Sequence, residues 1–145
     1  MKAAIIGSTG LVGSKLTELI SKDNSFQEIL CISRRQINLP VQRVKHIAID
    51  SGNYAINQPL DFAFCCLGTT MKKAGSKSAF ENIDLNMVVD FAKKAKDAGA
   101  KRFAMVSSIG ANPESKNFYL RTKGQAEEEI IKIGFETLVI ARPSL

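Results

Sequence analysis

Cysteine and histidine are scarce in this chain. It has three cysteines, Cys31, Cys65 and Cys66, and an odd count without regular spacing excludes a disulfide framework. All three lie in apolar, strand-like runs and read as reduced core residues. The one histidine, His46, opens a short apolar run with no Cys, His or carboxylate cluster beside it, so no metal centre is expected. Apolar runs fall well short of the ~18 residues a membrane span needs. The apolar start is interrupted by turn residues from Gly7 to Gly10, which a signal peptide would not contain. A cytoplasmic protein without membrane contact is the expectation.

Charge of one sign is only mildly in excess. The net +6 arises from lysines spread along the chain, with one denser stretch from Lys93 to Arg102 on a helical pattern and its exit. A solvated helix face accounts for that stretch. Zinc-finger spacing is absent and no aromatic residues interleave the charge, so nucleic-acid binding is not expected. An anionic dinucleotide is partner enough for a domain of this charge.

The 145 residues, 45% of them hydrophobic, fit one domain with a proper core. Short apolar runs alternate with helical periodicity, the pattern of βαβ units and a parallel sheet. Strands are predicted over 2–6, 28–32, 44–49, 61–67, 103–106 and 137–140. Helices are predicted over 11–22 and 118–133, and between them Leu85, Val88, Val89, Ala92 and Ala95 share a helix face. In the first helix Val12, Leu16, Leu19 and Ile20 are expected to face the core. Gly99 and Gly134 are placed as helix stops. The segment from Arg34 to Arg43 reads as a loop or one short turn. Right-handed crossovers then give a three-layer, doubly wound α/β Rossmann fold with strand order 3-2-1-4-5-6.

The run Gly7-Ser8-Thr9-Gly10-Leu11-Val12-Gly13 leaves the first strand and enters the first helix, the context that makes a GxxGxxG turn credible. Gly7 permits the tight turn, Gly10 lets backbone approach a pyrophosphate, and Gly13 lets the helix pack closely on the sheet. The free N–H groups of the helix start would hold the phosphates, with Ser8 and Thr9 adding hydroxyls or a cap. NAD-binding domains place an acid at the end of the second strand, but here that strand ends in Ser33-Arg34-Arg35. Two guanidinium groups and a hydroxyl suit a 2′-phosphate, so NADP(H) is expected ahead of NAD(H). Asp50 could reach the adenine amino group, or it is a solvated turn residue.

Tyr119 and Lys123 stand four apart on a predicted helix and share a face. Ser107 and Ser108 end the fifth strand, at the sheet edge where ligands bind. Tyrosine can serve as acid/base for hydride transfer to a carbonyl, lysine can favour tyrosinate and bind ribose hydroxyls, and serine can polarise the carbonyl. A capping tyrosine and a snorkelling lysine are the bland alternative.

Together these residues resemble the short-chain dehydrogenase/reductase superfamily, in its extended and atypical branches. Phe64 to Thr70, Lys73-Ala74-Gly75, Ser107 to Ala111 and Arg142-Pro143 are more closely similar to the Tat-interacting-protein (HTATIP-like) group of oxidoreductases. The resemblance implies Tyr119 as acid/base, Lys123 as its partner and cofactor ligand, and Ser108, ahead of Ser107, as the polarising serine. It also sets Leu67, Gly68 and Thr69 beside the cofactor, and puts Asp84 where many members carry Asn. The implied function is hydride transfer between NADP(H) and a carbonyl or alcohol of unspecified structure. The alternatives are a non-catalytic dinucleotide sensor that acts through a protein partner and a nucleotide-sugar epimerase or dehydratase. A homodimer is also expected as an option. Ending at Leu145, the chain is expected to be one NAD(P)-binding domain, 1–145, lacking the C-terminal substrate-side elements, so that its own activity is in question.

Overall fold

The structure, a computed structural model, describes residues 1–144. Six parallel strands form one sheet: β1 (Lys2–Ile6), β2 (Glu28–Ser33), β3 (Val44–Ala48), β4 (Phe62–Cys65), β5 (Arg102–Val106) and β6 (Thr137–Ala141). Their spatial order is β3-β2-β1-β4-β5-β6, the doubly wound order that the alternating pattern predicts. The helices are α1 (Leu11–Ser21), α2 (Met71–Ala74), α3 (Lys77–Glu81), α4 (Met87–Asp97) and α5 (Phe118–Ile133). A π-helical turn, Asn82–Asn86, joins α3 to α4.

Strand β1 is central because nothing in Ala3 to Ile6 needs water, and all four residues are fully buried. Successive side chains point to opposite faces. Ala4 and Ile6 join Leu30, Ile32, Ala63, Phe103 and Met105 beneath α4 and α5, which contribute Val88, Phe91, Ala92, Ala126 and Ile130. Ala3 and Ile5 join Ile29, Cys31, Phe26 and Ile20 beneath α1. Residues 34–43 hold no helix or strand, so the β2–β3 crossover is a loop.

The first helix is turned differently from its hydrophobic pattern. Its buried residues are Gly13, Thr17, Ile20 and Ser21, while Val12 and Leu19 are exposed. Close approach to the sheet favours small side chains, and Thr17 can be buried because its hydroxyl donates to the Gly13 carbonyl at 2.7 Å. Cys31 and Cys65 are buried and Cys66 half-buried; burial pushes their thiols up to about 11, 12 and 11 respectively, which keeps them protonated. Among the described residues no cluster of His, Cys, Asp and Glu could hold a metal, and no helix is long and apolar enough to cross a membrane.

Gly124 sits buried in α5 against the loop that follows β5. A Cβ there would lie 2.3 Å from the Asn112 carbonyl carbon and the Pro113 nitrogen, both backbone. Gly124→Ala is therefore expected to destabilise the fold by about 1–3 kcal/mol. An unchanged urea midpoint would show that the 112–113 loop yields without cost.

Candidate functional site

The expected site residues follow the C-terminal ends of β1 to β5, with Tyr119 and Lys123 on α5 after β5. The first part is the glycine turn. Gly7 has φ +78°, and a Cβ on it would come within 2.6 Å of the Cys66 backbone. A Cβ on Gly13 would lie 2.0 Å from the Gly7 carbonyl oxygen. Both positions thus accept glycine alone, and this contact seats α1 directly on the β1 exit. Gly10 caps α1 without any side-chain hydrogen bond, and the first turn holds no acidic residue. The N–H groups of Leu11, Val12 and Gly13 have no carbonyl four residues back inside the helix. Thr9 and Gly10 are exposed beside them, so the turn fits a diphosphate. Ser8 is buried, and its hydroxyl has no hydrogen-bond partner among the described residues.

The second part is the end of β2. Arg34 and Arg35 are exposed, and neither forms an ion pair among the described residues. Ser33, expected to offer its hydroxyl to a ligand, is buried and directs it to the Arg35 carbonyl at 2.5 Å. Asp50 is exposed beyond β3, in a small antiparallel bridge with Asn53.

The third part joins β4, the π turn and α5. The π turn buries Asp84, whose Oδ2 accepts from the Thr69 N–H at 3.1 Å. Its Oδ1 lies 2.5 Å from Lys123 Nζ. Both side chains are nearly or wholly out of solvent, at 0% exposure for Asp84 and 7% for Lys123. Burial pushes the Asp84 carboxyl above the usual carboxylate range, against the opposing pull of the Lys123 ammonium and the Thr69 N–H. Gly68 leaves room here: a Cβ on it would come within 3.5 Å of Lys123 Nζ. Tyr119 packs its ring against Phe80, with centroids 5.3 Å apart, and Lys123 Nζ lies 5.6 Å from the Tyr119 ring centroid. Lys123 thus lies beside Gly68 and near the Tyr119 ring, and Thr69 joins the same group through Asp84. Leu67 is half-buried at the start of the same turn.

Ser108 is buried next to this group, but its hydroxyl turns to the Ile109 carbonyl at 3.2 Å and bonds to neither Tyr119 nor Lys123. Ser107 points instead toward Glu127 on α5. The bidentate fork from Arg142 holds Glu127 at 3.0 and 2.7 Å. Burial pushes the Glu127 carboxyl up, but this fork and the Ser107 hydroxyl outweigh it and leave the group below its ordinary value. The backbone beyond β6 is tied in as well, since the Ile109 N–H donates to the Pro143 carbonyl at 3.1 Å. The Asp84–Lys123 and Glu127–Arg142 pairs were not foreseen as pairs. Each lies across long sequence separations, and only the isolated residues carried any signal.

The glycine turn on this sheet order defines a nicotinamide-dinucleotide-binding Rossmann domain. A family model described as "Semialdehyde dehydrogenase, NAD binding domain" matches residues 2–110, and the chain belongs to that family. It is 36% identical over 99% of its length to "Protein FMP52, mitochondrial" of Debaryomyces hansenii, covering 66% of that protein. It is 32% identical over 97% of its length to "Protein HTATIP2" of Rattus norvegicus, covering 61% of that protein. The chain therefore spans about two thirds of the curated relatives it matches. Among solved structures it is similar to the oxidoreductase ylbE of Lactococcus lactis, at TM-score 0.76 and 24% identity, over 99% of this chain and 68% of that one. MoeE5 in complex with UDP-glucuronic acid and NAD gives TM-score 0.77 at 17% identity, over 98% of this chain and 54% of that one. At these identities the structures show the fold. The matched family model makes this an NAD-binding domain of a dehydrogenase family. The curated relatives overturn the cytoplasmic expectation, because the FMP52 proteins among them are named mitochondrial. Composition could not have revealed this, since it carries no address.

The buried pair generates a stability test. Asp84→Ala strands the Lys123 ammonium and is expected to cost about 3–5 kcal/mol in urea unfolding. Asp84→Leu combined with Lys123→Met should cost less than Asp84→Ala alone, because no uncompensated charge remains. A larger loss in the double variant would contradict this assignment.

Proposed function

We propose that this chain provides the cofactor site and the proton-transfer residues of an NADP(H)-dependent oxidoreductase of the short-chain dehydrogenase type. The reaction is reduction of a carbonyl or its reverse. The observation that carries the proposal is Lys123, buried below Tyr119 and clasped by Asp84 at the turn after β4. NADP(H), when bound, supplies or accepts the hydride. The residues of the chain do the rest. Amides at the start of α1 hold the diphosphate, and Arg34 and Arg35 hold the 2′-phosphate. The Tyr119 hydroxyl gives its proton to the oxygen of the carbonyl as charge develops there, and takes it back in the reverse direction. The Lys123 ammonium, ion-paired with Asp84, has three N–H bonds that can turn to ribose hydroxyls. Ser108 can turn its hydroxyl from the Ile109 carbonyl toward the substrate oxygen.

The NADP(H) preference is supported by the exposed Arg34 and Arg35 and by the lack of any acid at the end of β2. The names of the FMP52 relatives support a mitochondrial setting. Substrates and partners of the whole protein follow from this reading only as a class: a small molecule with a carbonyl or alcohol.

Tyr119→Phe is expected to slow NADPH oxidation across a panel of aldehydes and ketones by about 10²–10⁴-fold, with NADPH affinity unchanged. Undiminished turnover would remove Tyr119 from the acid/base role. Arg34→Ala with Arg35→Ala is expected to weaken NADPH binding by at least about tenfold in fluorescence titration while sparing NADH. Equal losses for both cofactors would remove the 2′-phosphate assignment.

A further inference from the structure

His46 has no part in the reaction, and no metal cluster surrounds it, yet its ring is held in a specific way. It stands half-buried on β3, with Cys31 as its register partner on β2. Its Nε2 lies 3.0 Å from Ser33 Oγ and 3.2 Å from the Ser33 carbonyl oxygen. A carbonyl oxygen can only accept, so Nε2 must carry the ring proton. The Ser33 hydroxyl has one proton, and it goes to the Arg35 carbonyl at 2.5 Å. The result is a directional chain: the His46 N–H donates to Ser33, and the Ser33 O–H donates to Arg35.

This chain ends in the backbone that bears Arg34 and Arg35. Both guanidinium groups are exposed, and they sit at the head of a ten-residue stretch, 34–43, with no helix or strand of its own. A grip on a phosphate built on such a stretch would lose loop and rotamer entropy on binding. A side chain from the neighbouring strand that fixes the turn beforehand reduces that loss. Because β2 pairs with β1, the fixed turn lies one strand over from the glycine turn that takes the diphosphate.

We propose that His46 is a positioning residue of the 2′-phosphate site, holding the Arg34–Arg35 turn through Ser33 in the shape that grips a phosphate monoester. The proposal rests on the NADP(H) reading. It also gives Ser33 a new role: its proton is spent on Arg35, so it shapes the site instead of donating to the ligand.

Two nicotinamide-free probes isolate the subsite: adenosine 2′,5′-bisphosphate, which carries the 2′-phosphate, and 5′-AMP, which lacks it. Both are titrated by calorimetry into the wild-type chain, His46→Leu, His46→Gln and the Arg34→Ala, Arg35→Ala double variant, with thermal melts confirming that each is folded. The wild type is expected to prefer the bisphosphate. His46→Leu should lose about threefold to tenfold of bisphosphate affinity with 5′-AMP unchanged. His46→Gln, whose amide N–H reaches about where Nε2 does, should recover most of that loss. If His46→Leu keeps the full preference while the arginine variant loses it, the role of His46 is overturned and the NADP(H) reading stands. Equal losses for both probes in His46→Leu, or a His46→Gln no better than His46→Leu, also overturn it. A wild type that does not distinguish the probes overturns both the role of His46 and the NADP(H) reading.

Discussion

The contact between Gly13 and the Gly7 carbonyl fixes where α1 begins, and the rest of the site is arranged around that point. With only hydrogen on Gly13, the helix axis comes down onto the strand exit, and its first amides open toward the sheet edge. Gly7 in turn lies against the Cys66 backbone, so the end of β4 is set by the same turn. From β4 the chain passes through Gly68 and Thr69 to Asp84 and Lys123. One pair of missing side chains thereby couples the glycine turn to the Asp84–Lys123 pair, through the backbone that leads from Cys66 to Thr69.

The parts of this that could be read from sequence are those carried by short-range periodicity and by glycine. The sheet order, the position of α5, its stop at Gly134 and the loop between β2 and β3 all follow from local patterns. The orientation of α1 did not. Its largest apolar residues suggested a buried face through Val12 and Leu19, but the requirement for close approach selected the face with Gly13 and Thr17. Size of side chain, and not hydropathy alone, decides which side of a helix can meet a sheet at short distance. The π turn was equally hidden, because no residue type in Asn82–Asn86 marks where a helix takes up one extra residue. Its effect is large all the same: it turns Asp84 inward onto Lys123.

Tertiary pairs were the least legible. Asp84 meets Lys123 across 39 positions, Glu127 meets Arg142 across 15, and His46 meets Ser33 across 13. Nothing local encodes these partnerships. Lys123, Asp84 and Ser33 carry site readings on their own and His46 reads as an ordinary strand histidine, but the partner of each shows only when the fold brings it alongside.

The two buried carboxylates differ in how well their cations repay the loss of water. Glu127 and Asp84 each face one cation, yet burial leaves Asp84 raised while Glu127 is lowered. The difference lies in the partner. Arg142 is 53% exposed, keeps much of its hydration, and offers a planar fork with two directed bonds. Lys123 is itself almost fully buried and offers a single contact, so both ions of that pair have given up water for little directed bonding. An apolar pair of similar volume would satisfy the fold as well or better. What an apolar pair could not do is hold an ammonium at the edge of a cofactor turn, with N–H bonds to spare, beside a tyrosine. The unfavourable burial of Asp84 is thus understandable as the means by which a flexible lysine is kept in one place.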